Sequence, residues 1–172
     1  MNKHHRSRLI QQYRTGPEVL LAAWTACPLA ARTWKPSTSD WSAHEIILHC
    51  GDSETFAATR IRLLLAEPNP IIAGYDQDAW VHTFDYGHLP IDLAYATIVA
   101  VRASTFHVIM GLNDKSWANA GNHTDAGAYS AQDWLSIYGV HLHEHADQIR
   151  ANANLWRTQH DATRASTTEG NT

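Results

Sequence analysis

Residues 40–68 read DWSAHEIILHCGDSETFAATRIRLLLAEP. Ser42 followed three places on by Glu45 is the pattern of a capping box: the hydroxyl accepts from an early backbone N–H and the carboxylate reaches back to the cap. Ile46, Cys50, Ala57, Ile61 and Leu64 then recur at helical spacing, and the run stops before Pro68-Asn69-Pro70. The stretch therefore predicts a long helix with one face to bury, and a helical stripe of that width is buried against other helices.

Working outward, three more such segments emerge. On the N-terminal side, Ser7 to Cys27 places Leu9, Tyr13, Leu20, Leu21 and Trp24 on one face. Gly16-Pro17 predicts a kink or short break within it, and Pro28 closes it. On the C-terminal side, a helix opening at about Pro90 carries Ile91, Ala94, Ile98, Val101, Thr105, Val108 and Leu112 as a stripe, with His107 off it and solvated. A fourth helix runs from a cap at Ser130 and Asp133 to about Gln159. Strand-like alternation is weak throughout. The expected fold class is all-α: a four-helix bundle in a single domain over residues 1–160, with long ordered loops, and a disordered polar tail over 161–172. The connection NPIIAGYDQDAWVHTFDYGHLP is long enough to be either functional or a plug for the core.

The totals narrow the function. In 172 residues, 44% are hydrophobic and 17% charged, with a net charge of −4 and no basic block, so nucleic acid is not an expected partner. The apolar runs read as too short and too interrupted to span a bilayer, and MNKHHRSRLIQQYR has no secretory apolar core, so no membrane role is expected. Cys27 and Cys50 form no CxxC pair, which fits a reducing cytoplasm and packed thiols.

The chain has 12 histidines, three of them in YGVHLHEHADQIR, residues 138–150. On a helical wheel, Trp134, Tyr138, His141, His145, Gln148, Asn152 and Trp156 share an inward face, with Leu135, Leu142 and Ile149 flanking. His143 falls opposite and should be solvated. Two imidazoles one turn apart can hold one metal ion, although such pairs also arise by chance on surfaces. On the helix read first, His49 borders the Ile46–Cys50–Ser53 stripe, whereas His44 lies almost opposite and should be exposed. A bundle can bring His49 beside His141 and His145. Three imidazoles leave positions for water or substrate, the layout of catalytic rather than closed structural sites. Pure nitrogen ligation suits zinc, nickel, iron or copper, with zinc and nickel expected first and iron next.

Two motifs carry a family resemblance. Trp41, Ser42, Glu45 and His49 match W-S-x-x-E-x-x-x-H, and His141, His145, Gln148 and Ile149 match H-x-x-x-H-x-x-Q-I. In this the chain resembles the DinB/YfiT-like family, regarded as metalloenzymes, over roughly Leu9 to Trp156. The resemblance implies an up-down-down-up bundle, a metal site at His49, His141 and His145, and a homodimer. It also implies a thiol-dependent S-transferase that activates a low-molecular-weight thiol. A metal held by three neutral imidazoles would activate a bound water or a thiol equally well, so the expected enzyme acts on a small-molecule substrate as either a hydrolase or such a transferase. Many members have no assigned reaction.

The remaining candidates are weaker. Gln148, one turn past His145, would orient a ligand or simply sit in the seam. Asp52 is a candidate partner for His49, as is Glu45, whose capping role already explains it. His123 is a candidate acid/base over the site, or a solvated loop residue. Asp76, Asp78 and Trp80 would shape an entrance or only pack. Against the enzyme stands a non-catalytic bundle with a structural or sensing metal, or with none.

Overall fold

A computed structural model describes residues 1–169, with side chains to residue 161. The described elements are α1 (Lys3–Ala26), α2 (Ala43–Ala66), β1 (Ile71–Ile72), α3 (Gln77–Thr83), α4 (Ile91–Met110), β2 (Ala120–His123), β3 (Gly127–Ser130), α5 (Ala131–Tyr138) and α6 (His141–Glu169). The capping box at the head of α2 is complete: Glu45 N–H donates to Ser42 Oγ at 3.2 Å, and Ser42 N–H donates to Glu45 Oε2 at 2.8 Å.

Cross-helix bonds give the direction of the four long helices. Along α6, His143 meets Gln12 and Arg157 meets Ala26, so α1 and α6 run parallel. Asn152 meets Trp41 and His141 meets Glu54, so α2 runs against α6. Glu54 meets Arg102 and Arg62 meets Thr105, so α4 runs with α2. The bundle is up-down-down-up. Each of α1 and α2 packs against both α4 and α6, which leaves α1 and α2 diagonal. Two apolar clusters fill the interior, one around Tyr13, Ile61 and Trp134 and the other around Leu20, Ile46 and Ile149.

Arg102 sits at the centre, 2% exposed. Its Nε and Nη2 donate to Glu54 Oε2 and Oε1 at 2.9 and 2.6 Å. Its Nη1 donates to the Tyr13 carbonyl at 2.6 Å and its Nη2 to the Tyr138 carbonyl at 2.9 Å. This one side chain accounts for two departures from expectation. The helix α1 runs unbroken through Gly16-Pro17. Pro17 has no N–H to offer the Tyr13 carbonyl, and Arg102 supplies the missing donor. A Cβ on Gly16 would lie 2.6 Å from Arg102 Nη1, so only glycine lets the guanidinium in. Conversely, the expected fourth helix is two, α5 and α6, divided at Gly139 and Val140. The break falls beside the Tyr138 carbonyl that Arg102 occupies.

Four other expectations change. The inward face of α4 is Ile98, Arg102, Thr105 and Ile109; Val101 and Val108 are half-exposed, and Leu93, Val99 and Met110 are exposed. By length and composition α4 could cross a membrane, with a best-window hydropathy of 1.5, of which 22% is buried. Its hydroxyl residues read as interruptions, yet Thr97 bonds back to the Leu93 carbonyl at 2.9 Å and costs the run little. The loops also hold a small sheet: β1 pairs parallel with β2, and β2 pairs antiparallel with β3. Its strands are too short to alternate legibly. The polar tail expected over 161–172 falls on the end of α6, with 170–172 outside the described residues.

Candidate metal centre

His49 lies two turns into α2, 1% exposed. His141 and His145 open α6, each half-buried. Because α2 and α6 are antiparallel neighbours, the early turns of one meet the early turns of the other only if the chain offsets them. The α5–α6 break does this by starting α6 level with Glu54. One ligating nitrogen from each histidine then lies within 4.8 Å of the others. Ring centroids are 4.6 Å apart for His141 and His145, 4.9 Å for His49 and His145, and 5.7 Å for His49 and His141.

Two of the rings are oriented from behind. His141 Nδ1 lies 3.0 Å from Glu54 Oε1, and a carboxylate only accepts, so the proton is on Nδ1. His145 Nδ1 is likewise 2.9 Å from Gln148 Oε1. The Nε2 atoms therefore carry the lone pairs that would take a cation, with the Ser53 hydroxyl 3.4 Å from that of His141. The third ring, His49, makes no hydrogen bond among the described residues; Trp41 packs on it at 4.6 Å and reaches His145 at 6.4 Å. Burial lowers the His49 pKa to about 2, helped by His145 and His141, and burial with His141 lowers His145 to about 4. Both are neutral at physiological pH, the form that binds metal. A nitrogen-only set of this kind fits a divalent transition metal.

Glu54 is the residue the sequence reading missed. It is fully buried, and burial alone would raise its pKa; Arg102 first and His141 next hold it below the ordinary carboxylate value. A signal was present. Glu54 sits four residues after Cys50 and three before Ala57, on the apolar stripe of α2. Arg102 occupies the equivalent place between Ile98 and Thr105 on α4. Opposite charges on two facing stripes are a pair in waiting.

The other candidates lie elsewhere. Gln148 is at the site, holding His145. Asp52 does not touch His49; it accepts from the Tyr86 hydroxyl. His123 ends β2, where its Nδ1 accepts from Asp125 N–H at 3.2 Å and its ring meets Tyr129 at 5.4 Å. Glu45 caps α2 and pairs with Lys35 at 2.7 Å. Asp76 caps α3, and Asp78 accepts from the Trp41 indole at 2.9 Å. His143 is not solvated: parallel α1 covers it, and its Nε2 lies 3.0 Å from the Gln12 carbonyl. Nor is His44 free, its Nε2 lying 2.9 Å from the Leu89 carbonyl. The buried face of α6 is Leu142, Ala146, Ile149 and Ala153. The histidines flank that face rather than centre it, which is what leaves their side open. Cys27 and Cys50 are both buried, and burial raises each thiol pKa.

The sequence profile of the DinB superfamily matches residues 12–149. A protein of Oceanobacillus iheyensis is 28% identical over 109 residues, 63% of each chain. One of Halalkalibacterium halodurans is 21% identical over 112 residues, 65% of each, and one of Bacillus cereus is 24% identical over 109 residues, 63% of this chain and 62% of its own. All three are provisionally named metal-dependent hydrolases, and the matched stretch spans just under two thirds of their length. The solved structure of YfiT from Bacillus subtilis, described as an unusual four-helix bundle, superposes with a TM-score of 0.82 at 21% identity, covering 90% of this chain and 89% of that one.

Proposed function

The chain belongs to the DinB superfamily, and from that premise we propose that it is a metal-dependent hydrolase of a small-molecule substrate. His49, His141 and His145 hold a divalent transition metal, zinc or nickel before iron. The observation that carries this is the pair of imidazoles whose Nδ1 groups are tied to Glu54 and Gln148, converging with a third neutral imidazole. When bound, such an ion supplies the positive charge that activates a water and polarises an acyl oxygen near neutral pH. Glu54 and Gln148 fix the ring planes of His141 and His145. Trp41 packs over His49 and keeps bulk water from that side. The names of the relatives favour water over a low-molecular-weight thiol as the attacking group.

The test is metal content per chain by elemental mass spectrometry, on untagged protein purified without chelators. Wild type is expected to carry about one ion per chain. His49→Ala and His145→Ala are expected to lose it, and His143→Ala to keep it. A wild type that takes up neither zinc nor nickel is a non-catalytic bundle. Loaded protein that turns over no ester or amide holds its metal for structure or sensing.

A further inference from the structure

Among the described residues, four buried side-chain atoms have no hydrogen-bond partner, and two of them, Tyr75 Oη and Arg60 Nε, belong to a group with Tyr138, whose ring lies 5.5 Å from that of His141. Tyr75 follows β1 and is held between the rings of Phe56 at 4.7 Å and Trp80 at 4.6 Å. Its position is fixed on both sides in sequence. The Ala73 carbonyl accepts from Arg60, and Asp76 caps α3. The Ser53 hydroxyl lies against the phenols of both Tyr75 and Tyr138, and only 3.4 Å from His141 Nε2, the atom that faces the proposed ion. Behind them, Arg60 Nη1 donates to the Tyr138 hydroxyl at 2.7 Å, and its guanidinium carbon is 5.9 Å from the Tyr75 ring.

A buried hydroxyl without an acceptor forfeits the hydrogen bonds it made to water. Phenylalanine would fill the same place between Phe56 and Trp80 without that loss. The Ser53 hydroxyl beside it is shared with Tyr138 and His141, so the Tyr75 hydroxyl has no acceptor of its own, and a substrate oxygen held at the three histidines would supply one. Resting on the hydrolase reading above, we propose that Tyr75 is a catalytic hydrogen-bond donor that takes the acyl oxygen of an ester or amide substrate. The hydroxyl donates and keeps its proton. Charge developing on that oxygen strengthens the bond, and a donor already fixed in place needs no reorganisation. Burial is the main cause that pushes the Tyr75 pKa up to about 12, so the donor is protonated throughout the neutral range. The Arg60–Tyr138 pair contributes positive potential from behind.

The experiment titrates acetohydroxamate, an oxygen-donor probe of metal hydrolase sites, into zinc-loaded protein by calorimetry. It compares wild type, Tyr75→Phe and Tyr95→Phe, and records the melting temperature of each metal-free protein. Tyr95 is the control, since its hydroxyl already donates to the Pro17 carbonyl on the far side of the bundle. Tyr75→Phe is expected to keep one zinc per chain, to bind the probe about tenfold more weakly, and to melt no lower than wild type when metal-free. Tyr95→Phe is expected to bind the probe as wild type does. Equal probe affinity in Tyr75→Phe and wild type, both zinc-loaded, overturns the role of Tyr75 and leaves the metal site standing. A lower metal-free melting temperature with unchanged affinity makes the hydroxyl structural. A wild type that binds zinc and not the probe also overturns the proposal, whereas a wild type that binds no zinc overturns the hydrolase reading and this inference together.

Discussion

Two polar clusters share one oxygen inside this bundle, and they differ in how fully they are satisfied. Around Arg102 every nitrogen of the guanidinium has an acceptor: both Glu54 oxygens and the carbonyls of Tyr13 and Tyr138. A few ångströms away, the three histidines converge with far fewer partners: among the described residues the one hydroxyl against their Nε2 atoms is that of Ser53, 3.4 Å from His141. The first cluster is closed and joins α1, α2, α4 and α5. The second is open and only borrows its orientation from the first, through Glu54 Oε1. Saturation is thus the physical mark that separates a polar cluster that holds the fold from one that waits for a ligand.

The sharpest way to break that distinction is Arg102→Met. It leaves the Glu54 carboxylate in the core with no strong cation and two helix carbonyls without their donor. Removal of one partner of a buried pair costs about 3–5 kcal/mol. The expected result is a loss of that size in urea denaturation. A loss under about 1 kcal/mol would mean that the cluster is not what holds the helices together.

Next in size is Glu54→Gln, which tests the shared oxygen itself. The amide still accepts from His141 Nδ1 and withdraws the negative charge that makes the imidazole a better ligand. Zinc affinity is expected to fall about 10–100-fold, the usual cost of changing an outer partner, with one ion per chain retained at saturating zinc. Competition against a chromogenic chelator measures it. Unchanged affinity would uncouple the two clusters, and the Arg102 network would then be purely structural.

The comparison also explains what was readable in the sequence. The α2 cap, the stripe behind it and the His141–His145 pair are written in spacings of three and four residues, where the helix period makes partners visible. His49 could be added because it borders the one stripe that must be buried. Glu54 and Arg102 were not found, although each interrupts an apolar stripe, because their pairing is set by which helices are neighbours. That follows from the diagonal placement of α1 and α2, which no local pattern encodes. His143 failed for the same reason: its wheel position is outward from α2 but inward to α1. The strands β1, β2 and β3 lie beyond the reach of periodicity at two to four residues each. Gly16-Pro17 was noticed and misread. The pair marks a vacancy in the helix ladder, and what fills it comes from 85 positions further along the chain (102 − 17).

That vacancy gives the smallest and most specific prediction. A proline inside a helix costs roughly 3 kcal/mol relative to alanine, partly because the carbonyl four residues back loses its donor. In α1 that carbonyl belongs to Tyr13 and already accepts from Arg102 at 2.6 Å, while the Pro17 carbonyl accepts from the Tyr95 hydroxyl at 3.2 Å. Pro17→Ala would restore an N–H that competes with the guanidinium for an occupied oxygen. The expected gain in stability is therefore below about 1 kcal/mol, far short of the ordinary difference. A gain near the full amount would show that Arg102 does little for the Tyr13 carbonyl. The closed cluster would then shrink to the Arg102–Glu54 pair and the Tyr138 contact, with α1 no longer a member of it.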